Sequence, residues 1–451
     1  MKTLKNPPSL LKLIGPSIIL LGLGLGSGEL ILWPYLVSNF GLGIIWAAVV
    51  GITFQFFINM EIERYSLLYG ESVFAGFSRL NKKLPYWFIF STFVAWMWPG
   101  IIATSAEIFA QIFSIDNFTT IGIILLLLIG TILTLGPRLY KTVETFQKYL
   151  IIIGVPIIAI ITFILAKPVD FTALAHGLAG VGDGYLFIPL GIPLFTFLGA
   201  VAYSGAGGNL NLAQSFYIKE KGYGACEGAK GISSVLTGKA QKVEVFGKSI
   251  DFGDAKNYSR FRAWWRIVNY EHLLVFLITG AITILLLALL AFTTTRGITD
   301  EQGIQFLISE FAAISARLTP AVGTIFLFFV AAMLFGTQLT VLDSSSRIIS
   351  ENIVILRRTL NLSKTYYLIL WLQILAGIVV FAVGFSNPIG LVVLGAVINA
   401  VAMFFHIALT YLLNKKLLPK KYQTSKIRKI ILFAAWLVFG VLSIFAIVEA
   451  F

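Results

Sequence analysis

Gly22-Leu23-Gly24-Leu25-Gly26-Ser27-Gly28-Glu29 and Tyr203-Ser204-Gly205-Ala206-Gly207-Gly208-Asn209 each lie inside a long apolar segment. Glycine is among the poorest helix formers, because fixing its backbone costs the most conformational entropy. Each run also brings polar groups to membrane depth. Backbone freed from a helix there is tolerated only where its amides and carbonyls face protein or a water-filled cavity. Interrupted apolar segments at matching places in two halves of a chain point to the binding site of a secondary transporter. The two runs therefore predict interrupted, non-helical backbone lining one shared cavity near the midplane. The alternative is that glycine merely lets neighbouring helices pack closely. Polar residues in both runs, at equivalent places, weigh against it.

Working outward, eleven apolar segments are long enough to span a bilayer, which needs about 20 residues. They cover roughly 13–37, 43–62, 86–113, 120–135, 149–166, 186–217, 269–292, 321–343, 366–384, 390–413 and 429–449. The third and sixth are long enough to hold a non-spanning turn as well. With 58% hydrophobic and 12% charged residues, the chain is an all-α integral membrane protein; soluble domains carry about 25% charge. The first five spans (13–166) and the next five (186–413) form two halves, each opening on a glycine-broken helix. Five is odd, so the second half lies inverted relative to the first. The last span, 429–449, is an addition to this 5+5 repeat.

A net charge of +13 raises the question of a nucleic-acid partner. Placing the N-terminus in the cytoplasm puts 31 of the 34 Lys and Arg on the cytoplasmic side, leaving only Lys167, Arg296 and Arg317 outside. That is the positive-inside pattern of a multi-pass protein of the plasma (cell inner) membrane, with the C-terminus outside. Membrane lipid, and no nucleic acid, is the partner this implies. Cys226 is the lone cysteine, so there is no disulfide framework and no thiolate cluster. The one sizeable loop, 218–266, carries alternating Val243, Val245, Ile250 and Phe252 around Gly247-Lys248, which predicts a small hairpin. It reads as a basic connector, or as a gate or regulatory element.

The polar residues of the spans are the candidate site. Gly26, Ser27, Gly28 and Glu29 on one side, with Ser204, Gly205, Ala206, Gly207 and Asn209 on the other, would line the solute path. Asn399 of the tenth span is a further cavity candidate. A carboxylate at the bilayer centre costs roughly 2.5–3.5 kcal/mol on insertion scales, so Glu29 should face a cavity or partner. It is the one candidate metal ligand; the other reading makes it a cap on the outer half-helix. Glu107, near Thr104, is a second buried acid suited to proton coupling, or else hydrogen-bonded to a neighbouring helix. Thr337 and Thr340 could offer oxygens to sodium. Asp343 and Arg347, four apart, suit an intrahelical ion pair. The histidines 176, 272 and 406 are far apart in sequence, and neither a nucleophile constellation nor a phosphate loop is present. The chain is not read as an enzyme, and no cofactor is implied.

Gly15-Pro16 before the first interrupted helix, Ala103-Thr104-Ser105-Ala106-Glu107 and Asn209-Leu210-Asn211-Leu212 give the chain a resemblance to the Nramp family of divalent-metal transporters. The resemblance implies a fold of the leucine-transporter type, with helices 1 and 6 interrupted. The family reads Asp-Pro-Gly-Asn on helix 1, where this chain has Gly26-Ser27-Gly28-Glu29. On helix 6 it reads Met-Pro-His-Asn, against Ala206-Gly207-Gly208-Asn209. The family's metal-binding aspartate and methionine are thus replaced by Gly26 and Ala206. On helix 3 the family's proton-route aspartate is replaced, while Glu107 is kept; the helix 9 arginines of that route have no counterpart. Asn399 matches the family's helix 10 glutamine as another amide. Loss of the soft ligand favours a hard or hydrated cation such as magnesium over manganese or iron. A small organic solute such as an amino acid, carried with sodium or protons, remains the alternative.

Overall fold

The computed structural model describes residues 2–234, 236–237, 242–297, 304–384 and 387–450. Among these, ten helices are long and apolar enough to cross a membrane: α1 Pro16–Phe40, α2 Leu42–Tyr69, α3 Leu84–Phe113, α4 Phe118–Leu135, α5 Leu139–Leu165, α7 Ala255–Thr295, α8 Pro320–Leu356, α9 Leu362–Ala382, α10 Pro388–Leu417 and α11 Lys426–Phe445. The sixth span is split between α6a, Leu194–Ala202, and α6b, Gln214–Lys221, with a 3-10 turn Gly208–Ala213 between them. Among the helix starts where a polar side chain caps a free amide are Asn117 for α4, Thr319 for α8, Asn361 for α9 and Asn387 for α10. Each cap precedes an apolar run, so these starts are local consequences of sequence.

The packing is two-fold in pattern. α1 packs on α5 as α6a packs on α10, and α3 on α4 as α8 on α9. α1 meets α7 as α6a meets α2, and α5 meets α8 as α10 meets α3. Such paired contacts are what an inverted repeat of five helices produces. α1 is wholly enclosed and α8 largely so, whereas α4 and α11 present most of their surface outward.

Several sequence expectations change. Helix 1 is not interrupted: from Leu25 to Leu32 it widens into π-helix and then resumes as α-helix. Unwinding would strip several backbone groups of partners at once, whereas i→i+5 bonding keeps them paired inside the bundle. Helix 3 does break, at Met97–Pro99, because proline withholds an amide and crowds the preceding turn. The long loop contains no hairpin among its described residues. Ile250 instead bridges to Lys2, and Gly247 packs on the carbonyl of Gly70. Its last part is helix, since α7 already starts at Ala255. Leu4, Leu68, Ile250, Phe261, Leu418 and Tyr422 make a small second core that ties the N-terminal segment to this loop. These parts, with the Lys221 end of α6b, form the basic end of the molecule.

Candidate functional site

The two glycine runs touch. A Cβ on Gly24 would lie 2.9 Å from the Cα of Gly205, and one on Gly28 would overlap the carbonyl of Tyr203. The expected shared cavity is therefore replaced by backbone-to-backbone contact, a closed arrangement. Gly26 faces Thr337 of α8 instead, and Gly22 faces Gln147 of α5. Alternate residues of a helix point to widely separated faces, which is why glycines two apart serve three different neighbours.

The break in helix 6 is held open by a residue the sequence reading passed over. Gln55 of α2 donates from Nε2 to the carbonyl of Ala202 at 3.0 Å, and its Oε1 accepts from the amide of Gly207 at 3.1 Å. One side chain thus serves backbone groups on both sides of the gap. Gly207 has φ +71° and ψ 143°, a region open essentially to glycine alone. Its neighbour Gly208, φ +56°, leaves no room for a Cβ beside the Asn399 amide. The signal was available: Gln55, Asn59 and Glu63 recur at every fourth position of an apolar helix, and all three are buried.

Glu29 is fully buried, and neither carboxylate oxygen has a hydrogen-bond partner among the described residues. It points to α7 rather than across the helix 6 break. A Cβ on Gly280 would lie 3.7 Å from Glu29 Oε1, and 2.5 Å from Ile52 Cδ1. The bare Gly280 lets Ile52 of α2 pack close against α7, with the carboxylate in contact distance of the same position. α7 is itself π-helical just before this point, from Leu273 to Ile278. The side chain of Ser27 lies outside the described residues.

Around helix 6, Ser204 Oγ accepts from Trp33 Nε1 at 2.9 Å, and Ala206 is buried. The Tyr203 ring stacks on Trp96 with centroids 5.5 Å apart, and its hydroxyl accepts from Asn399 Nδ2 at 3.0 Å. Asn209 donates to Ser91 and Thr92 of α3. This leaves Asn209 Oδ1, Asn399 Oδ1 and Trp96 Nε1 buried without partners among the described residues. These atoms remain uncommitted on the α3–α6–α10 side, as do the Asn211 amide and the His406 ring nitrogens.

The remaining candidates lie apart from this centre. Thr337 donates to the carbonyl of Gly22 at 2.6 Å, while Thr340 accepts from Gln147 Nε2 at 2.6 Å. Together they join α8 to α1 and α5. Thr104 is spent on the Gly100 carbonyl, and Glu107 is half-buried about 4.5 Å farther along the helix. Asp343 and Arg347 do pair, with Nε 2.9 Å from both carboxylate oxygens. Glu220 of α6b also bonds Arg347, and Tyr366 of α9 donates to Asp343. The pair is thus a three-helix junction. No group of three His, Cys, Asp or Glu positioned to hold a metal occurs among the described residues.

No protein-family model matches the chain, and no curated protein is similar to it in sequence. Its shape does have relatives. Crystal structures of mutant forms of the Eremococcus coleocola manganese transporter superpose with TM-scores of 0.71 and 0.72 at 15% identity, covering 98% of this chain and 88% of that one. MHP1, a nucleobase-cation-symport-1 family transporter solved with bromovinylhydantoin bound, gives a TM-score of 0.53 at 11% identity, covering 98% and 94%. The fold is of the leucine-transporter type. At these identities the likeness concerns architecture alone, so the site chemistry has to come from this chain's own residues.

Proposed function

We propose that the chain is a secondary transporter, distantly related to the Nramp family, that carries a small hard cation by alternating access. The carrying observation is Glu29, an enclosed carboxylate with no partner beside the contact of the two glycine runs. A carboxyl enclosed there takes up its charge only with a counter-charge beside it, which an arriving cation supplies. Among the unpartnered acceptors on the α3–α6–α10 side of the helix 6 break are the amide oxygens of Asn209 and Asn399, which are hard donors. All-oxygen donors with one carboxylate suit magnesium or calcium better than manganese or iron. The glycine contact closes the path, and parting helix 1 from helix 6 would open it. On this reading the basic end is cytoplasmic and Lys167 and Arg296 lie outside, with protons or sodium as the coupling ion.

Flux into liposomes, compared for magnesium, calcium, manganese and amino acids with and without a pH gradient, tests the proposal. Glu29→Gln should abolish cation flux while inserting normally. Wild-type flux in that variant would defeat the cation reading. One observation favours a second reading, a small organic solute: the Trp96–Tyr203 stack with its unpaired indole N–H and the Asn399 carbonyl oxygen resembles a wall for a planar polar molecule. Under that reading Trp96→Ala, and not Glu29→Gln, removes flux.

A further inference from the structure

On the basic side of the glycine contact, one serine joins a histidine to a carboxylate. Ser17, in the first turn of α1, has its Oγ 2.5 Å from Glu271 Oε2 and 2.7 Å from His272 Nδ1, both on α7. All three residues are buried. A hydroxyl owns one proton, so its two contacts set each other's direction. With Glu271 ionised, Ser17 donates to it and must accept from His272 Nδ1–H. With Glu271 protonated, the carboxyl donates to Ser17, and Ser17 donates to Nδ1.

The two states differ by one proton transfer. Starting from an imidazolium and a carboxylate, the Nδ1–H bond breaks as a new Oγ–H bond forms. The old Oγ–H bond breaks as Glu271 gains its proton. The histidine is left neutral with its proton on Nε2, the carboxyl is neutral, and no other reactant is needed.

Both ends of this chain lead somewhere. The His272 ring stacks between Phe56 and Phe276, with centroids 5.6 and 4.6 Å away, and its Nε2 has no partner among the described residues. A Cβ on Gly205 would lie 2.9 Å from Phe276 Cζ, so the ring stacked on the histidine reaches the helix 6 break. At the other end Glu271 opposes Glu63 of α2, whose Oε1 is also unpartnered, and lies beside the amide of Gly15. Gly15 packs on Glu144, Tyr140 and Lys221, which line a cavity of about 400 Å³ at the basic end.

The charges that face the group are few. Lys221 acts on Glu271 but is held by Glu144 at 2.6 Å. Arg428 acts on His272 but is bonded to Asn269 and packed over Trp265. Tyr140 and Tyr223 add two neutral hydroxyls near Glu271. None of these cations forms an ion pair with Glu271 or Glu63.

We propose that His272, Ser17 and Glu271 form a proton wire from the helix 6 break to the basic end. On the cation-transport reading above, on which this last step rests, the wire is the inward exit of the coupling proton.

Infrared difference spectra of the full chain in lipid nanodiscs, taken between about pH 5 and pH 9, need no substrate. Protonated-carboxyl and histidine-ring bands that titrate together are expected. Glu271→Gln should remove the coupled carboxyl component. Ser17→Ala should uncouple the two bands, and Ser17→Thr should couple them again. Independent titration in the wild type, or an unchanged carboxyl band in Glu271→Gln, overturns the wire. Proton entry accompanying magnesium uptake should fall about tenfold in Ser17→Ala and recover in Ser17→Thr. Equal proton movement in wild type and Ser17→Ala overturns the exit role. Should the wild type move no cation, the transport reading falls, while the infrared result still decides the wire.

Discussion

At the first glycine run the backbone stays helical by widening to π spacing between Leu25 and Leu32; at the second it leaves the helix at Tyr203 and resumes at Gly208. Composition does not separate them, since each has several glycines and a polar residue. Spacing does. The first run places glycine at alternate positions 22, 24, 26 and 28, which open towards α5, α8 and, for Gly24 and Gly28, helix 6. The second places Gly207 and Gly208 together, and both take positive φ. A glycine run can thus report close packing or unwinding, and adjacency distinguishes the two here. The packing alternative set aside in the sequence reading is the right one for helix 1.

This contrast can be broken most forcefully at Gly28. Gly28→Ala drives a methyl group into the backbone carbonyl of Tyr203, which has no soft side chain to yield. Stability should fall by about 3 kcal/mol or more, the scale of severe overpacking, read as lost monodisperse protein in detergent. If Gly28→Ala behaves as wild type, the two runs do not touch.

Next in size is Gln55→Leu. It leaves the Ala202 carbonyl and the Gly207 amide without partners, at about 1–3 kcal/mol for each buried group. Hydrogen exchange should speed up at Gly207 and stay unchanged in helix 1; equal acceleration in both would end the distinction. Gly207→Ala should cost roughly 1–3 kcal/mol from backbone strain alone. The Gly24 backbone is α-helical, so Gly24→Ala should suffer only through its contact with Gly205.

The smallest effect concerns the helix Gln305–Arg317, which packs on α7 and α8 and meets helix 1 through the Phe306–Tyr35 ring contact. Burial pushes the Glu310 carboxyl up to about 8, partly offset by a hydrogen bond to Thr294. A raised carboxyl pKa means the docked state holds a proton that the undocked chain releases. Its stabilisation is full below the ordinary carboxyl range of about 4.3, and is lost as pH rises towards 8. Only the docking of this helix is affected, so protease cleavage within 305–317 should increase between pH 5 and pH 8 while the bundle stays folded. Glu310→Gln should flatten that dependence; an unchanged profile would remove Glu310 as its origin.

How much of this was legible beforehand follows from the range of each interaction. Span positions, the Asn and Thr caps, the polar residues at membrane depth and the Asp343–Arg347 pair depend on neighbours within a turn or two. Sequence by itself therefore determined an eleven-segment helical membrane protein with two glycine runs in matching places. The polar stripe of Gln55, Asn59 and Glu63 was equally visible at its four-residue spacing. Tertiary structure alone decided which way Glu29 points, because its carboxylate lies against Gly280 of α7, some 250 residues away. It also decided that Gln55 spans the helix 6 break and that Ser17 meets Glu271 and His272. The physical reason is the same throughout. A buried polar group takes whichever partner packing delivers, and the sequence separation of the two leaves no trace in the local pattern.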